Sequence, residues 1–408
     1  MQKKRDVNSN SKSGISIRHQ RVDDKIAKVI YDRWPRFVTQ REIAHDLNVS
    51  QSLVSKRLSR WTSKKIAPLK MIYQERNIEM EKRLKDTYNL RDIVVLKNAD
   101  YFVHPNSYIN QIGKYASHVI VQEINARSIV GNNSSKEKKL SILASGGSCN
   151  YSTLSSLSDE LNNTGINLRL SSSVALRSNS LIEQTPLYIA SQLLGRKLNV
   201  EIANTYQLPK ITNLYKKESL YEIVEQRIRT QKMLGIDNEF LQSDIVVLSL
   251  GSTRCRCTPS GFIRHISNLG LHSFLRKFDI VGEIACAPFG RGGFLFHYLV
   301  GEVFERKNGR FKYDESEQLQ KLKKIANKNV HISKQDLIDA AIFFSSIITI
   351  NFCEIEKSLR KQIKKPYTLL LVGGDSLKAL PLKIILERWK DINVLDGLVT
   401  SENIAKDI

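Results

Sequence analysis

Small and hydroxylated residues follow directly after four apolar runs of the chain. The four segments are residues 145–148 (SGGS), 171–173 (SSS), 251–253 (GST) and 373–376 (GGDS). Glycine allows backbone amides to approach an anion closely, and a helix that starts after such a loop adds the positive end of its dipole. None of the segments is a GxGxxG or P-loop motif, so each alone is more typical of an ordinary strand-to-helix turn. Together, on a chain with a basic N-terminal module, they favour a site for a phosphorylated small ligand.

The elements that position these segments alternate between strand and helix. Seven apolar runs have the length and composition of buried strands. They are residues 93–96, 140–144, 166–170, 245–250, 278–284, 368–372 and 392–395. Amphipathic stretches such as residues 187–194 lie between them. This alternation predicts a mostly parallel, doubly wound α/β sheet with helices on both faces, and such sheets bind ligands at the carboxyl ends of their strands.

The positive charge of the chain is concentrated near its N-terminus. The net charge is +22, and residues 1–70 hold 17 basic and 6 acidic side chains. Residues 1–20 contain almost no apolar side chains, which predicts a disordered basic tail. A strongly basic module attached to a less strongly charged C-terminal part indicates a polyanionic partner, most simply nucleic acid. A generally lysine-rich proteome is the alternative explanation.

Residues 21–73 have the spacing of a helix-turn-helix domain. Thr39 and Glu42 can cap a helix reciprocally. Ala44 is small enough for two helices to cross closely, as the motif requires. Asn48 tolerates the left-handed conformation of a tight turn after that helix. These local signals, together with the charge, predict a DNA-binding domain.

Ser50 can cap a third helix, which runs to about Trp61. Short polar side chains on this helix could approach base edges, and basic side chains nearby could reach phosphates. The candidate DNA-binding residues are Arg41, Ser50, Gln51, Ser52, Ser55, Lys56, Arg57, Ser59 and Arg60. An ordinary three-helix bundle with a solvated outer face is the alternative. In the helix-turn-helix interpretation, residues 69–72 would add a wing-like strand. Residues 74–90 would form a charged linker helix or a dimer contact.

The order of motifs resembles the SorC/DeoR-type family of sugar-binding transcriptional regulators, particularly its SorC branch. The similar stretches are TQREIAHDLNVSQSLVSKRLSRW, RLKDTYNLRDIVVL, SILASGGSCNYSTL, DIVVLSLGS, DIVGEI, LLLVGGDSLKALPLKIILERW and INVLDGLVTSENIAKDI. The most telling are the RLKDTYNLRDIVVL stretch and the GG-x-x-x-K segment. The resemblance implies a repressor or activator whose residues 91–408 have the fold of sugar-phosphate isomerases and bind a sugar or sugar phosphate. It also implies a homodimer or homotetramer on a double-stranded DNA operator.

The resemblance further implies an effector-binding site. The residues it assigns are Gly146, Gly147, Ser148, Arg177, Glu283, Gly373, Gly374 and Lys378. Glu283 takes the place of a family acidic residue that binds sugar hydroxyls, whereas Arg177 is placed by a looser alignment. The chemistry of Lys378 agrees with a phosphate-binding role, because an ammonium beside glycine amides forms charge-assisted bonds to phosphate oxygens. A solvated helix lysine is the alternative for Lys378.

Three stretches depart from the family pattern. Residues 171–173 are serines where the family usually has a glycine-rich loop. Cys149 follows the first glycine pair, near the place of a threonine-like phosphate ligand. Residues 303–333 are lysine-rich and have no family counterpart, so they cover the pocket, form an oligomer contact or decorate the surface. A DNA-binding regulator with a degenerate, ligand-free pocket is therefore an alternative.

Other classes of protein fit the sequence less well. The longest uncharged apolar run, residues 340–353, is shorter than a membrane span needs, and residues 1–14 lack the apolar core of a signal peptide. The five cysteines indicate a reducing cytoplasm rather than a disulfide scaffold. No CxxC, HxxxH or CxxH spacing predicts a metal, and no cofactor is expected. We expect no enzyme activity, with sugar-phosphate isomerase or deaminase chemistry as a minor alternative suggested by fold analogy.

Overall fold

The structure is a computed structural model of the chain. It describes residues 44–45, 47–54, 76–97, 105–130, 140–161, 168–176, 200–203, 217–254, 261–304, 306–307, 310–311, 314–328, 330–361 and 365–408. The chain divides into two compact units, Met1–Gln74 with Phe102–His104, and Glu75–Tyr101 with Pro105–Ile408. The predicted tail at residues 1–20, wing-like strand at 69–72 and helix at 187–194 lie outside the described residues.

Strands and helices alternate along the described part of the larger unit. The strands are β1 (Asp92–Leu96), β2 (Leu140–Ala144), β3 (Leu168–Ser172), β4 (Val174–Leu176), β5 (Val200–Ala203), β6 (Ile245–Ser252), β7 (Ile280–Ile284), β8 (Ala287–Gly290), β9 (Gly293–Phe294), β10 (Arg306–Lys307), β11 (Arg310–Phe311), β12 (Ile347–Thr349), β13 (Tyr367–Val372) and β14 (Gly397–Ser401). The α-helices are α1 (Ile78–Tyr88), α2 (Pro105–Val130), α3 (Ser148–Glu160), α4 (Lys217–Leu234), α5 (Ile236–Gln242), α6 (Gly261–Asn268), α7 (His272–Arg276), α8 (Leu295–Tyr298), α9 (Glu315–Ile325), α10 (Lys334–Ser346), α11 (Phe352–Leu359), α12 (Ala379–Trp389) and α13 (Glu402–Ala405). A π-helical turn (Leu299–Val303) follows α8, and a 3₁₀ turn (Ser376–Lys378) precedes α12.

A mainly parallel sheet forms the centre of the larger unit. Its strands lie in the order β1-β14-β13-β6-β2-β3-β5. Every neighbouring pair in this series is parallel. Strands β7, β8 and β9 continue the sheet from β6 as an antiparallel extension. The predicted α/β class with a mostly parallel sheet is therefore confirmed.

Apolar side chains of the central strands point alternately into two separate cores. On β13, Leu370 and Val372 belong to the larger core, whereas Leu369 and Leu371 belong to the smaller one. Residues of α2 and α3 complete the smaller core. Burial on both faces explains why these strands are continuous apolar runs rather than alternating patterns. Within the described ranges, no helix has the length and apolar character of a membrane span.

One predicted strand is wrong. Residues 392–395 belong to the turn and the irregular segment that follow α12, and the amides of Ile392 and Asn393 both donate to the carbonyl of Trp389. Asn393 is in the left-handed conformation, with φ of 53°, which a strand does not allow. The strand of this region is β14, which begins at Gly397 and pairs with β1 and β13.

Other strand boundaries also differ from the prediction. Ser171 and Ser172 are the last residues of β3 rather than a loop, and Gly251 and Ser252 likewise lie in β6. The run at residues 278–284 contains β7, which is antiparallel to β6 and not part of the parallel series. Small side chains give little indication of a strand, because β propensity reflects side-chain packing and burial. The sequence alone therefore predicts loops at these positions.

The lysine-rich segment at residues 303–333 folds onto the larger core. Its described part contains the short β10–β11 hairpin and α9. Asp314 caps α9 by accepting hydrogen bonds from the amides of Ser316 and Glu317, at 3.0 and 3.2 Å. Leu322 is completely buried and belongs to the larger core. The lysines therefore lie on an amphipathic element with an apolar side.

His265 is a buried histidine in the middle of α6. It is 1% exposed, between the buried residues Phe262 and Ile266. Neither of its ring nitrogens has a hydrogen-bond partner in the described part of the chain. Burial disfavours the imidazolium and lowers the pKa of His265 to about 4 from the ordinary 6.5. The unfolded chain therefore takes up this proton at a higher pH than the folded chain.

We expect His265 to weaken the fold as the pH falls from about 6.5 to 4. The difference between these pKa values corresponds to about 3 kcal/mol of unfolding free energy, fully present above pH 6.5 and lost toward pH 4. Urea unfolding of wild type and His265→Leu across this range measures the effect. The variant should lose less stability on acidification, whereas His331→Ala, at an exposed histidine, should follow the wild type. Parallel pH profiles for wild type and His265→Leu would contradict the assignment.

Candidate functional site

The order of the parallel strands creates a crevice between β2 and β6. From β2 the chain continues outward to β3 and β5, whereas from β6 it continues to β13 and β14 on the other side. Connections that leave in opposite directions open a space at the carboxyl ends of the two strands, where doubly wound proteins bind their ligands. The segments after β2, β6 and β13 all meet at this edge, which we call the carboxyl edge.

The loop after β2 leads directly into α3. Gly147 is the N-cap residue and has φ of 114°, a conformation that favours glycine. A Cβ atom at this position would lie 3.0 Å from Ser249 Oγ. The first intrahelical bond runs from the amide of Tyr151 to the carbonyl of Gly147, so the preceding amides of α3 have no intrahelical acceptor. Gly147 and Ser148 are exposed, which leaves this helix start open to an anion.

Hydroxyl and amide side chains fix the loop to β6. The amide of Ser249 donates to Ser145 Oγ at 2.8 Å, and Ser249 Oγ donates to the carbonyl of Gly146. Asn150 is completely buried beneath the loop. Its Nδ2 donates to the carbonyl and the hydroxyl of Ser145, at 2.7 and 2.8 Å. The loop is therefore held in place before any ligand is bound.

The loop after β13 packs against the start of α3. A Cβ atom on Gly373 would lie 2.8 Å from Cys149 Sγ and 2.9 Å from Ile112 Cδ1, so a larger residue does not fit. Gly374 has φ of 127°. Its Cβ position is 3.3 Å from Lys378 Nζ, and Lys378 Nζ donates to the carbonyl of Gly373. Glycine at both positions thus allows the two loops and the ammonium to lie together.

Lys378 is the cation of the carboxyl edge, and it is half-buried. It belongs to the 3₁₀ turn, which Asp375 caps by accepting a hydrogen bond from the amide of Leu377 at 3.1 Å. Burial raises the pKa of the Cys149 thiol, although the Lys378 ammonium and a backbone hydrogen bond with Gly373 both favour the thiolate. The thiol is therefore neutral at pH 7 and is not an anionic partner for Lys378.

Glu283 lies on the antiparallel extension, opposite the end of β6. It is 7% exposed and pairs with Gly251 in the register of β6 and β7. A Cβ atom on Gly251 would be 2.1 Å from Glu283 Oε1, so the glycine makes room for the carboxylate. Glu283 Oε2 accepts a hydrogen bond from the amide of Cys286 at 2.9 Å. Burial and this carboxylate raise the pKa of Cys286 well above its ordinary value.

The structure brings most of the predicted effector residues to one edge of the sheet. The loop of Gly146, Gly147 and Ser148 meets the loop of Gly373 and Gly374 through the Cys149–Gly373 contact. The end of β6 joins the 3₁₀ turn, because Ser252 Oγ donates to the carbonyl of Leu377 at 3.3 Å. This contact links the strand that faces Glu283 to the turn that carries Lys378. Arg177 lies outside the described residues.

The described part of the N-terminal unit has the turn that the sequence predicts. Ala44 and Val54 are buried, and Asn48 has φ of 48° in the left-handed region. The amide of Val49 donates to the carbonyl of Ala44 at 2.9 Å. Ser50 caps the next helical segment, since its Oγ accepts a hydrogen bond from the amide of Leu53 at 3.2 Å.

Three of the predicted DNA-binding residues belong to this described segment. Ser50, Gln51 and Ser52 are all exposed, and Ser50 Oγ lies 3.0 Å from Ser52 Oγ. The other predicted DNA-binding residues lie outside the described residues. They are Arg41, Ser55, Lys56, Arg57, Ser59 and Arg60.

Sequence reasoning did not assign Ser145, Asn150 or Ser249 to the site. All three support the glycine loop rather than present a charge, and they join β2 to β6 by hydrogen bonds between distant parts of the chain. The sequence signal is limited to Ser145, which follows directly after a strand, because Ser249 lies inside β6. A buried asparagine such as Asn150 is recognisable only once its burial is known.

The described residues do not form a metal or disulfide site. No group of three or more histidine, cysteine or carboxylate side chains in the described ranges is arranged to hold a metal ion. Cys149, Cys286 and Cys353 are free. Burial raises the pKa of all three thiols, that of Cys353 to about 11. These thiols are therefore poor nucleophiles at neutral pH, because the thiolate is the reactive form.

No protein-family model matches the sequence, and no curated protein matches it. Solved structures similar to the chain include the full-length sorbitol operon regulator SorC from Klebsiella pneumoniae. It is 15% identical, with a TM-score of 0.48, and the match covers 95% of this chain and 98% of that chain. A DeoR family transcriptional regulator from Listeria monocytogenes is 15% identical, with a TM-score of 0.47 and coverage of 81% and 98%.

A 6-phosphogluconolactonase from Trypanosoma brucei is 13% identical, with a TM-score of 0.39, and covers 78% of this chain and 98% of that chain. The two bacterial regulators are of the same kind as the family whose motifs the sequence resembles.

The close contact at Gly373 predicts a specific packing defect. Gly373→Ala should destabilise the larger unit by about 1–3 kcal/mol, because its Cβ would overlap Cys149 Sγ at 2.8 Å. Urea unfolding measures this loss. Gly301→Ala is the control, since a Cβ at this position would lie 4.0 Å from the ring of His297, an ordinary contact distance. Adding Cys149→Ala to Gly373→Ala should recover part of the stability, and equal stability of wild type and Gly373→Ala would contradict the contact.

Proposed function

We propose that this protein is a sequence-specific DNA-binding transcriptional regulator whose operator affinity is controlled by a sugar or sugar phosphate at the carboxyl edge. The observation that carries the proposal is the meeting of two glycine loops and one ammonium at the crevice of the parallel sheet. Backbone amides, a helix start and a lysine form a complementary environment for a phosphate group.

Phosphate would bind between the start of α3 and the 3₁₀ turn. Lys378 Nζ donates to the carbonyl of Gly373. A phosphate would replace this neutral acceptor with a charged one, and charge-assisted hydrogen bonds are about twice as strong as neutral ones. The exposed amides near Gly147 and Ser148 would supply the remaining donors.

The sugar would extend toward the antiparallel extension. The Glu283 carboxylate is an acceptor for sugar hydroxyl groups, and its Oε1 lies beside the backbone of Gly251. A buried carboxylate that receives a hydroxyl hydrogen bond discriminates strongly against analogues that lack this hydroxyl. Ligand selectivity would therefore depend on Glu283, and ligand affinity on Lys378.

DNA would be bound by residues 21–73 as a winged helix-turn-helix domain. The left-handed Asn48 and the Ser50 cap support this assignment locally, and the charge of residues 1–70 supports it globally. Residues 91–408 would be the effector domain of sugar-phosphate isomerase type. Half-site recognition requires two copies of the recognition helix, so the active form would be a homodimer or homotetramer.

Lys378→Ala should abolish most of the effector response. Loss of one charge-assisted hydrogen bond weakens binding by about 10- to 100-fold. A thermal-shift titration of the full chain with sugars, sugar phosphates and inorganic phosphate measures this, since saturating ligand adds about 2.7 kcal/mol at one hundred times Kd. Lys390→Ala is the matched control, because Lys390 is exposed at the far end of α12.

A sugar phosphate should stabilise wild type and Lys390→Ala but not Lys378→Ala. Equal stabilisation of both variants would exclude Lys378 from the site. No stabilisation of folded wild type by any compound would favour the regulator with a degenerate, ligand-free pocket. Conversion of any sugar phosphate by the purified protein would instead support an enzyme.

Lys56→Ala should weaken DNA binding and reduce its salt dependence. Each phosphate contact that is lost decreases the slope of log affinity against log salt by about 0.9. Fluorescence anisotropy with a duplex selected from a random library by the full chain measures both quantities. Lys406→Ala, at an exposed lysine of the C-terminus, should keep the affinity and slope of the wild type. An unchanged slope in Lys56→Ala would remove this lysine from the interface.

A further inference from the structure

Helix α13 lies between the loop after β13 and the segment where the chain enters the larger unit. It follows β14 directly, and it contacts the 3₁₀ turn that carries Lys378 on one side. On the other side Glu402 Oε1 accepts a hydrogen bond from Asn77 Nδ2 at 2.8 Å. The carbonyl of Ala405 accepts one from Arg83 Nη2 at 2.8 Å. One short helix therefore connects the candidate phosphate site with the region around α1.

Helix α1 is fixed to the sheet by a small set of polar contacts. Glu81 is buried, and its Oε1 accepts hydrogen bonds from the amide of Val95 and from Arg76 Nε, both at 2.9 Å. The amide of Asn77 donates to the carbonyl of Val95 at 2.8 Å, and Asn77 Oδ1 caps α1. These contacts, together with the buried Leu84 and Tyr88 in the larger core, give α1 a defined position on β1.

Asn77 has a special place in the chain. The first segment of the N-terminal unit ends at Gln74, and the larger unit begins with Glu75. Among the described residues, Asn77 is the first of the larger unit whose side chain reaches α13. The contacts of Asn77 and Arg83 therefore connect α13 to the start of the larger unit.

We propose that α13 transmits anion binding at Gly373–Lys378 to α1. Binding draws Lys378 Nζ from the carbonyl of Gly373, shifts the 3₁₀ turn against α13, and alters the Glu402–Asn77 and Ala405–Arg83 hydrogen bonds. Ligand-bound and ligand-free forms thereby hold α1 differently, as a coupling between two sites requires. This inference rests on the proposed function, because it needs an anion at the loop after β13.

Hydrogen exchange of the full chain tests this coupling. The probe is saturating inorganic phosphate, compared with chloride at the same ionic strength. Wild type should show slower exchange in residues 146–150 and 373–378, together with a change of about fivefold or more in residues 77–90, the size of a typical coupling. Lys82→Met is the control, since Lys82 is an exposed residue of α1, and it should behave as wild type.

The double variant Asn77→Ser/Arg83→Met removes both bonds to α13 and keeps a side-chain oxygen to cap α1. It should retain phosphate protection of the two loops and lose the change in residues 77–90. Glu402→Leu removes the bond to Asn77 from the other side and leaves the Arg83–Ala405 bond in place. It should therefore diminish the change in residues 77–90 even if the double variant loosens α1. Protected loops with an unchanged α1 in wild type, or an undiminished change in both variants, would overturn the coupling alone. Absence of loop protection in wild type would overturn the proposed phosphate site as well.

Discussion

The hydrogen bonds of β6 to parallel strands on both sides determine the geometry of the larger unit. Ile245 pairs with Tyr367 of β13 and with Ile142 of β2, which sets the heights at which the two glycine loops leave the sheet. A slip of one residue would exchange the buried faces of a strand, so the two cores keep this register in place. From Leu250 onward β6 pairs with β7, and the same strand thus positions Glu283 relative to both loops.

The carboxyl edge combines rigid donors with one adaptable charge. Hydroxyl and amide side chains hold the first glycine loop, and Asp375 holds the 3₁₀ turn by its cap. Donors that are already ordered lose little entropy when a ligand binds. Lys378 differs, because its bond to the carbonyl of Gly373 is easily exchanged for a charged partner. The ligand would therefore reorganise mainly the lysine and the turn that carries it.

Features that depend on neighbouring residues were predictable, whereas contacts between distant residues were not. The left-handed Asn48 and the Ser50 cap follow from local chemistry and are present in the structure. Continuous apolar runs predicted most central strands, because both faces of the sheet are buried. Residues 392–395 were wrongly predicted as a strand, since four residues of such composition do not distinguish the turn after a helix from a strand.

The candidate site likewise combines local features that the sequence predicts with contacts between distant residues that it does not. The glycine loops are recognisable as motifs, and their meeting at one edge follows from a parallel sheet. The contact of Gly373 with Cys149 and the hydrogen bond from Ser249 to Ser145 depend on strand order. The sequence does not contain strand order in any local pattern, so these contacts became visible only with the fold.

Residues 76–81, at the start of the larger unit, also protect the outer edge of the sheet. β1 has β14 on one side only, and on its other side Val95 is satisfied by the Glu81 carboxylate and the amide of Asn77. Arg76 forms an antiparallel bridge with Leu96. An uncovered strand edge is a template for pairing with another chain, which leads to aggregation. Residues 76–81 thus cover this edge of the larger unit: a chain that began at residue 91 would expose the backbone of β1 and be prone to edge-to-edge association.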